Sequence, residues 1–199
     1  IITHLIEVQC ARGNLHLFLY TKVKSARFFG DLGFYEIARV EDTLVFMENR
    51  RDGFGAYLRA LEKTKTGGKS AALVMNANPF TLGHQYLVEK AAAACDTLHL
   101  FVVSEDASLV PFAVRKRLVE AGVAHLPNVV LHDSGPYIIS NATFPSYFLK
   151  DEAAVIEGHA RLDLAVFTKI AKALNITARY VGEEPTSQVT GLYNKIMCE

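Results

Sequence analysis

The chain has 199 residues, half of them hydrophobic and 21% charged, with 21 Lys and Arg balanced by 21 Asp and Glu. A zero formal charge removes the electrostatic basis for lying along nucleic acid or an anionic membrane, where basic residues dominate. The three cysteines, Cys10, Cys95 and Cys198, form no C-x-x-C pair and are odd in number, which argues against a disulfide framework or a zinc site.

Reduced thiols, the lack of a long apolar run and the lack of a signal-peptide pattern together lead to the expectation of a cytoplasmic protein with no membrane span. The chain opens in the apolar run ITHLIEV without an initiator Met, which reads as the interior of a longer protein. LHLFLY (15–20) is a short strand, and VKSARFFGDL (23–32) has helical spacing that Gly33 ends. Residues 34–39 and 43–48 read as strands, 54–63 as a helix, and KTKTGGK (63–69) as a linker.

From Ser70 the pattern becomes strand–helix alternation. Strands are expected at 70–76, 98–103, 129–132 and 176–182, with helices at about 83–94, 111–124, 151–174 and from 188. Such alternation implies α/β architecture, a doubly wound parallel sheet of Rossmann-like type covered on both faces. Ligands bind these sheets beyond the carboxyl ends of the strands.

The stretch Asn76-Ala77-Asn78-Pro79-Phe80-Thr81-Leu82-Gly83-His84 lies at that place. It leaves a buried strand and opens a helix, so free N–H groups and the positive helix end face a ligand. Gly83 lets the backbone approach a phosphate closely, His84 sits in the first helical turn, and Thr81 supplies a hydroxyl on the same side. A turn and N-cap with a space-filling His84 is the alternative reading of the same residues.

The segment resembles the H/T-x-G-H nucleotidyltransferase superfamily, with Thr81 in place of the first His and His84 as the second. Together with DTLHLFVVSEDAS, VPFAVRKRLV, PYIISNATFPSYFL and RYVGEEPTSQVTGLYNKIM, the match runs in order over nearly all of 15–199 and is similar to the [citrate (pro-3S)-lyase] ligases. That resemblance implies three parts. Residues 1–62 are the C-terminal part of a GNAT-like acetyltransferase domain, 63–69 the linker, and 70–199 a nucleotidyltransferase-like (HUP-type) ATP-binding domain. The first half of the GNAT-like domain and the family's Ser-rich second nucleotide motif find no counterpart in these 199 residues.

The resemblance further implies Mg-ATP and acetate as substrates, and citrate lyase, through its acyl carrier subunit and CoA-like thiol group, as partner. His84 and Thr81 are then the catalytic candidates. Asn76, Asn78, Pro79, Phe80, Gly83, Arg115, Gly182 and Glu184 are candidates for nucleotide binding. Arg115 is favoured over Lys116 because a guanidinium grips two phosphate oxygens, although a solvated charged face is the alternative. Tyr137, Ser140 and Thr143, in the long polar and aromatic stretch 135–148, are the acceptor-side candidates, and an ordered loop packed on itself is the alternative there. His99, His125, His132 and His159 lack metal-ligand spacing and read as structural or surface. A plain adenylyltransferase, or a non-catalytic nucleotide-binding module, would use the same loop.

Overall fold

The protein, seen in a computed structural model, is described over residues 1–106, 108–139, 152–182 and 188–198. The chain order is α1 (Ile2–Ala11), β1 (Phe18–Thr21), α2 (Val23–Asp31), β2 (Tyr35–Val40), β3 (Leu44–Glu48) and α3 (Gly53–Glu62). It continues with β4 (Ser70–Met75), α4 (Leu82–Ala93), β5 (Thr97–Val102), α5 (Phe112–Val123), β6 (Val129–Asp133), α6 (Glu152–Leu174), β7 (Ile176–Tyr180) and α7 (Gln188–Cys198). Helix α1 was not anticipated, because ITHLIEV shows an apolar run without a clear period and none of its residues is fully buried.

The first sheet is antiparallel in the order β1-β3-β2. Gly33 closes α2 as expected: at φ +86° it turns the chain so that Phe34 N donates to Phe29 O and Gly33 N to Gly30 O. One face of this sheet packs Val45 and Met47 against Val23, Ala26 and Phe29 of α2 and Ile6 of α1.

The second sheet is wholly parallel in the order β6-β5-β4-β7. Parallel strands covered on both faces must be apolar along their length; β5 accordingly is buried at every position. Below the sheet, Leu73, Leu100, Val119 and Val123 form a core with Val88 and Ala91 of α4. Above it, Ala72 and Phe101 meet Leu162, Val166 and Ile170 of α6. That same cluster takes in Ile37 and Phe46 of the first sheet and Phe54 and Leu61 of α3, so α6 lies between the two sheets and both share one core. Lys169 of α6 adds a hydrogen bond to Ile37 O at 2.5 Å.

The strand order fixes the site. Starting from β4 the chain steps outward to β5 and β6, then returns through α6 to β7 on the other side of β4. Connections leave β4 and β7 in opposite directions, opening a crevice at their carboxyl ends.

Candidate nucleotide site

Past Met75 the chain leaves the sheet through Asn76–Phe80 and enters α4 at Leu82. Ala77 takes the left-handed conformation (φ 51°) while buried, which is uncommon for a residue with a side chain. Contacts on the neighbouring loop hold it there. Asn78 Oδ1 accepts from Val110 N at 2.9 Å, and Asn76 Nδ2 donates to Ser108 Oγ at 3.2 Å.

Arg115 is the centre of this brace, not a residue of the cleft wall. Its side chain is fully buried and donates to Asn76 O (2.7 Å), Asn76 Oδ1 (2.9 Å), Val103 O (2.8 Å), Val110 O (2.9 Å) and Glu105 O (2.5 Å). A guanidinium's fork of donors suits several converging carbonyls. The donors expected to grip phosphate are here taken up by the chain itself. The sequence held a sign of this, since Arg115, Val119 and Val123 recur at helical spacing and are the buried residues of α5. Lys116 points outward and pairs with Asp133.

Thr81 caps α4. Its hydroxyl accepts from His84 N, and Thr81 N donates back to His84 Nδ1 at 3.1 Å; Thr81 Oγ1 lies 2.8 Å from the same nitrogen. Because Nδ1 accepts from a backbone N–H, a neutral ring carries its proton on Nε2. Phe80 stacks on His84 (centroids 5.8 Å apart, 22° between planes). Behind Phe80 lies Gly122 of α5, where an added Cβ would come within 2.3 Å of the ring.

Gly83 is different. A Cβ there would meet only Thr81 Oγ1 at 3.7 Å, so the fold itself does not require glycine at the helix start.

His84, Asn76, Asn78 and Gly182 line a cleft of about 480 Å³ between the ends of β4 and β7. The far wall comes from residues that the sequence reading had not singled out: Arg179 and Val181 of the β7 strand and its end, with Tyr193, Asn194 and Met197 of α7. Arg179 lies over the Phe167 ring at 4.3 Å, and both of its terminal nitrogens reach Asp163 Oδ2 at 3.3 Å. Its Nε is buried without a hydrogen-bond partner among the described residues. Tyr193 also donates to Asp163, and burial raises its phenol pKa. A lone cation inside the apolar strand ITARY was the available signal, since a buried charge needs a partner. Asn194 Nδ2 ties α7 to the end of β7 by donating to Gly182 O at 3.1 Å.

Tyr137 does not lie in this cleft. It is buried, its hydroxyl donates to Glu48 Oε2 at 3.0 Å, and its ring packs on Phe18, Phe54 and Tyr57. Glu48 also accepts from Phe54 N at 2.6 Å and sits 2.6 Å from His16 Nε2, so Tyr137 belongs to the junction between the sheets. Ser140, Thr143 and Glu184 lie outside the described residues. His99 and His132 form a buried pair, Nδ1 to Nε2 at 2.9 Å. Among the described residues no His, Cys, Asp and Glu cluster could hold a metal ion, and no helix is long and apolar enough to cross a membrane.

A parallel sheet with a capped helix start, an oriented histidine and a cleft at its switch point defines a Rossmann-like α/β domain. Residues 70–199 match the citrate lyase ligase C-terminal domain, and the chain belongs to that family. It is 46% identical over 199 residues to the [citrate [pro-3S]-lyase] ligase of Klebsiella pneumoniae, covering 99% of this chain and 58% of that protein. With the ligase of the same name from Escherichia coli (strain K12) it is 43% identical over 197 residues, covering 98% of this chain and 56% of that one. The chain thus spans a little over half the length of these curated relatives. A shorter likeness, 37% over 57 residues (28% of this chain, 35% of the other), links it to the phosphopantetheine adenylyltransferase of Staphylococcus carnosus (strain TM300).

Proposed function

We propose that this chain carries the ATP site of an AMP-forming ligase that charges the thiol of citrate lyase's acyl carrier subunit with an acetyl group. The observation that carries the reading is the pairing of Thr81 with His84 at the free start of α4, on the wall of the β4/β7 cleft. Family membership supplies the partner; the names of the relatives supply citrate lyase.

In the first step an acetate oxygen attacks the α-phosphorus of ATP, and the bond from that phosphorus to the bridging oxygen of pyrophosphate breaks. Charge grows on the phosphoryl oxygens. His84 Nε2–H and the N–H groups opening α4 are donors suited to that charge. In the second step the carrier's thiolate attacks the acetyl carbon, AMP leaves, and a thioester forms. Nucleotidyl transfer of this kind needs positioning and charge stabilisation more than a protein nucleophile. Cys95 fits that absence of a protein nucleophile, since burial raises its thiol pKa. Magnesium would arrive on the triphosphate, held by phosphate oxygens and water.

Candidate roles then divide by position. Asn76, Asn78, Pro79 and Phe80 shape the loop, Gly83 admits the phosphates, and Arg179 and Gly182 bound the nucleotide from the β7 side. The test is ATP–pyrophosphate exchange in the full-length protein with and without acetate. Exchange should require acetate and fall about 10²–10³-fold in His84→Ala, the usual cost of losing one transition-state donor. Acetate-independent adenylylation of a phosphate-bearing small molecule would instead make it a plain adenylyltransferase. ATP bound and left unchanged, even with deacetylated citrate lyase added, would reject both catalytic readings.

A further inference from the structure

A second cavity, of about 550 Å³, lies at the same carboxyl edge of the parallel sheet, but on the side of β5 and β6. Its mouth is formed by Ser104 and Glu105 after β5 and by Pro136 after β6; its interior is lined by Phe18, Tyr20, Phe46 and Ile138. The three aromatic residues come from one face of the first sheet, where Tyr20 pairs with Phe46 across β1 and β3. Their rings stack, 4.7 Å between Tyr20 and Phe46 and 5.9 Å between Phe18 and Phe46. Neither sheet alone makes this space.

The two cavities have opposite chemistry. The β4/β7 cleft offers His84, Arg179, Asn76 and Asn78, groups that suit a polyanion. The second cavity has no Lys or Arg among its described lining residues, and its one charged group is the Glu105 carboxylate. A phosphate brought to that mouth would meet no Lys or Arg among those residues, whereas an amide N–H would find an acceptor. Size and lining match a small-molecule site that buries apolar chain and orients it with few polar groups.

The two are also neighbours. Val103 N donates to Met75 O at 3.0 Å and Ser134 N to Val102 O at 3.1 Å, so the ends of β4, β5 and β6 lie side by side. Strands spaced by about 4.8 Å put the second mouth about 5–10 Å from the end of β4. An extended chain seated among the aromatic rings could present its tip at the first cleft.

We propose that this junction cavity binds the uncharged, amide-bearing aliphatic arm of the acceptor thiol, with methylenes against Phe18, Tyr20 and Phe46 and an amide at Glu105. The proposal rests on the reading that the acceptor is such a thiol. It gives the first sheet a part in the site: that sheet forms half of the acceptor's wall.

The probe is pantetheine, titrated calorimetrically into the full-length protein and into a Pro136→Trp variant. Pro136 is exposed, so an indole there narrows the mouth without disturbing a core. Binding should weaken at least about tenfold, while acetate-dependent ATP–pyrophosphate exchange stays within about twofold of the parent. Phe18→Leu, which thins the wall, should weaken binding with the same unchanged exchange. Undiminished pantetheine binding in both variants, or no binding to the parent at millimolar concentration, overturns the proposal. Absent exchange in the parent would reject the ligase reading instead, and the titrations would still decide the cavity.

Discussion

His84 is held by the residue three positions before it: Thr81 N donates to its Nδ1 at 3.1 Å, and Thr81 Oγ1 lies 2.8 Å from the same atom. One residue thus caps the helix and sets the tautomer of the ring. Its hydroxyl can both accept from His84 N and donate to Nδ1.

Thr81→Ser keeps the hydroxyl and should leave ATP–pyrophosphate exchange within about threefold of the parent. Thr81→Val keeps the shape, loses the cap at a cost of about 1 kcal/mol, and removes the hydroxyl that lies against the ring nitrogen. Exchange in that variant should fall about tenfold or more, by the leverage that small misplacements have on positioned groups. Equal rates in the two variants would show that the hydroxyl does nothing beyond capping.

The two glycines near the loop separate a ligand's requirement from the fold's. Gly83→Ala meets no close atom, only Thr81 Oγ1 at 3.7 Å, so urea midpoints should match the parent within about 0.5 kcal/mol. Its effect should appear as a rise of about tenfold or more in KM for ATP. Unchanged KM would mean that phosphate does not approach the α4 start.

Gly122→Ala behaves in the reverse order. Its Cβ would meet Phe80 Cε1 at 2.3 Å, and the ring that backs His84 must shift. Overpacking of this kind costs about 1–3 kcal/mol, and exchange should fall with it. Adding Phe80→Leu should restore the stability and leave the activity low, since the leucine clears α5 but no longer stacks on the imidazole.

Arg115 joins β4, β5 and the loop before α5 through five hydrogen bonds. Arg115→Met removes the cation and leaves those carbonyls without their donors, so a loss of about 3–5 kcal/mol is expected in chemical denaturation. Arg115→Lys should recover only part of it, because an ammonium cannot serve so many directions. A variant of parental stability with weak ATP binding would return Arg115 to the phosphate site.

Strand–helix alternation from Ser70 made the parallel sheet legible, and Asn-Pro before T-x-G-H made the turn into α4 legible, because both are local patterns. What escaped was long-range. Arg179 gains its place in the cleft from Asp163 on α6 and Tyr193 on α7, residues 16 and 14 positions away, and no spacing rule ties the three. Tyr137 reads as a loop aromatic, yet Glu48, 89 positions earlier, draws it into the core. The sharing of one core by both sheets likewise depends on α6, whose two faces serve different partners.

The His99–His132 pair predicts a particular acid lability. Burial depresses both pKa values, that of His132 to about 4, and with Nδ1 and Nε2 at 2.9 Å the two facing nitrogens cannot both carry protons. In the unfolded chain each His titrates near about 6.5, so below that pH the unfolded state binds protons that the native state refuses. Stability from these groups is therefore complete above about pH 6.5 and is lost progressively towards pH 4, by about 2–3 kcal/mol for His132. Other groups titrate in the same window, including His159, whose pKa burial also lowers, so the comparison is with a His99→Phe/His132→Leu double variant. Its replaced pair leaves no buried donor orphaned, and its urea midpoint should fall less between pH 7.5 and pH 5 than the parent's. Parallel falls would remove the pair from the pH response.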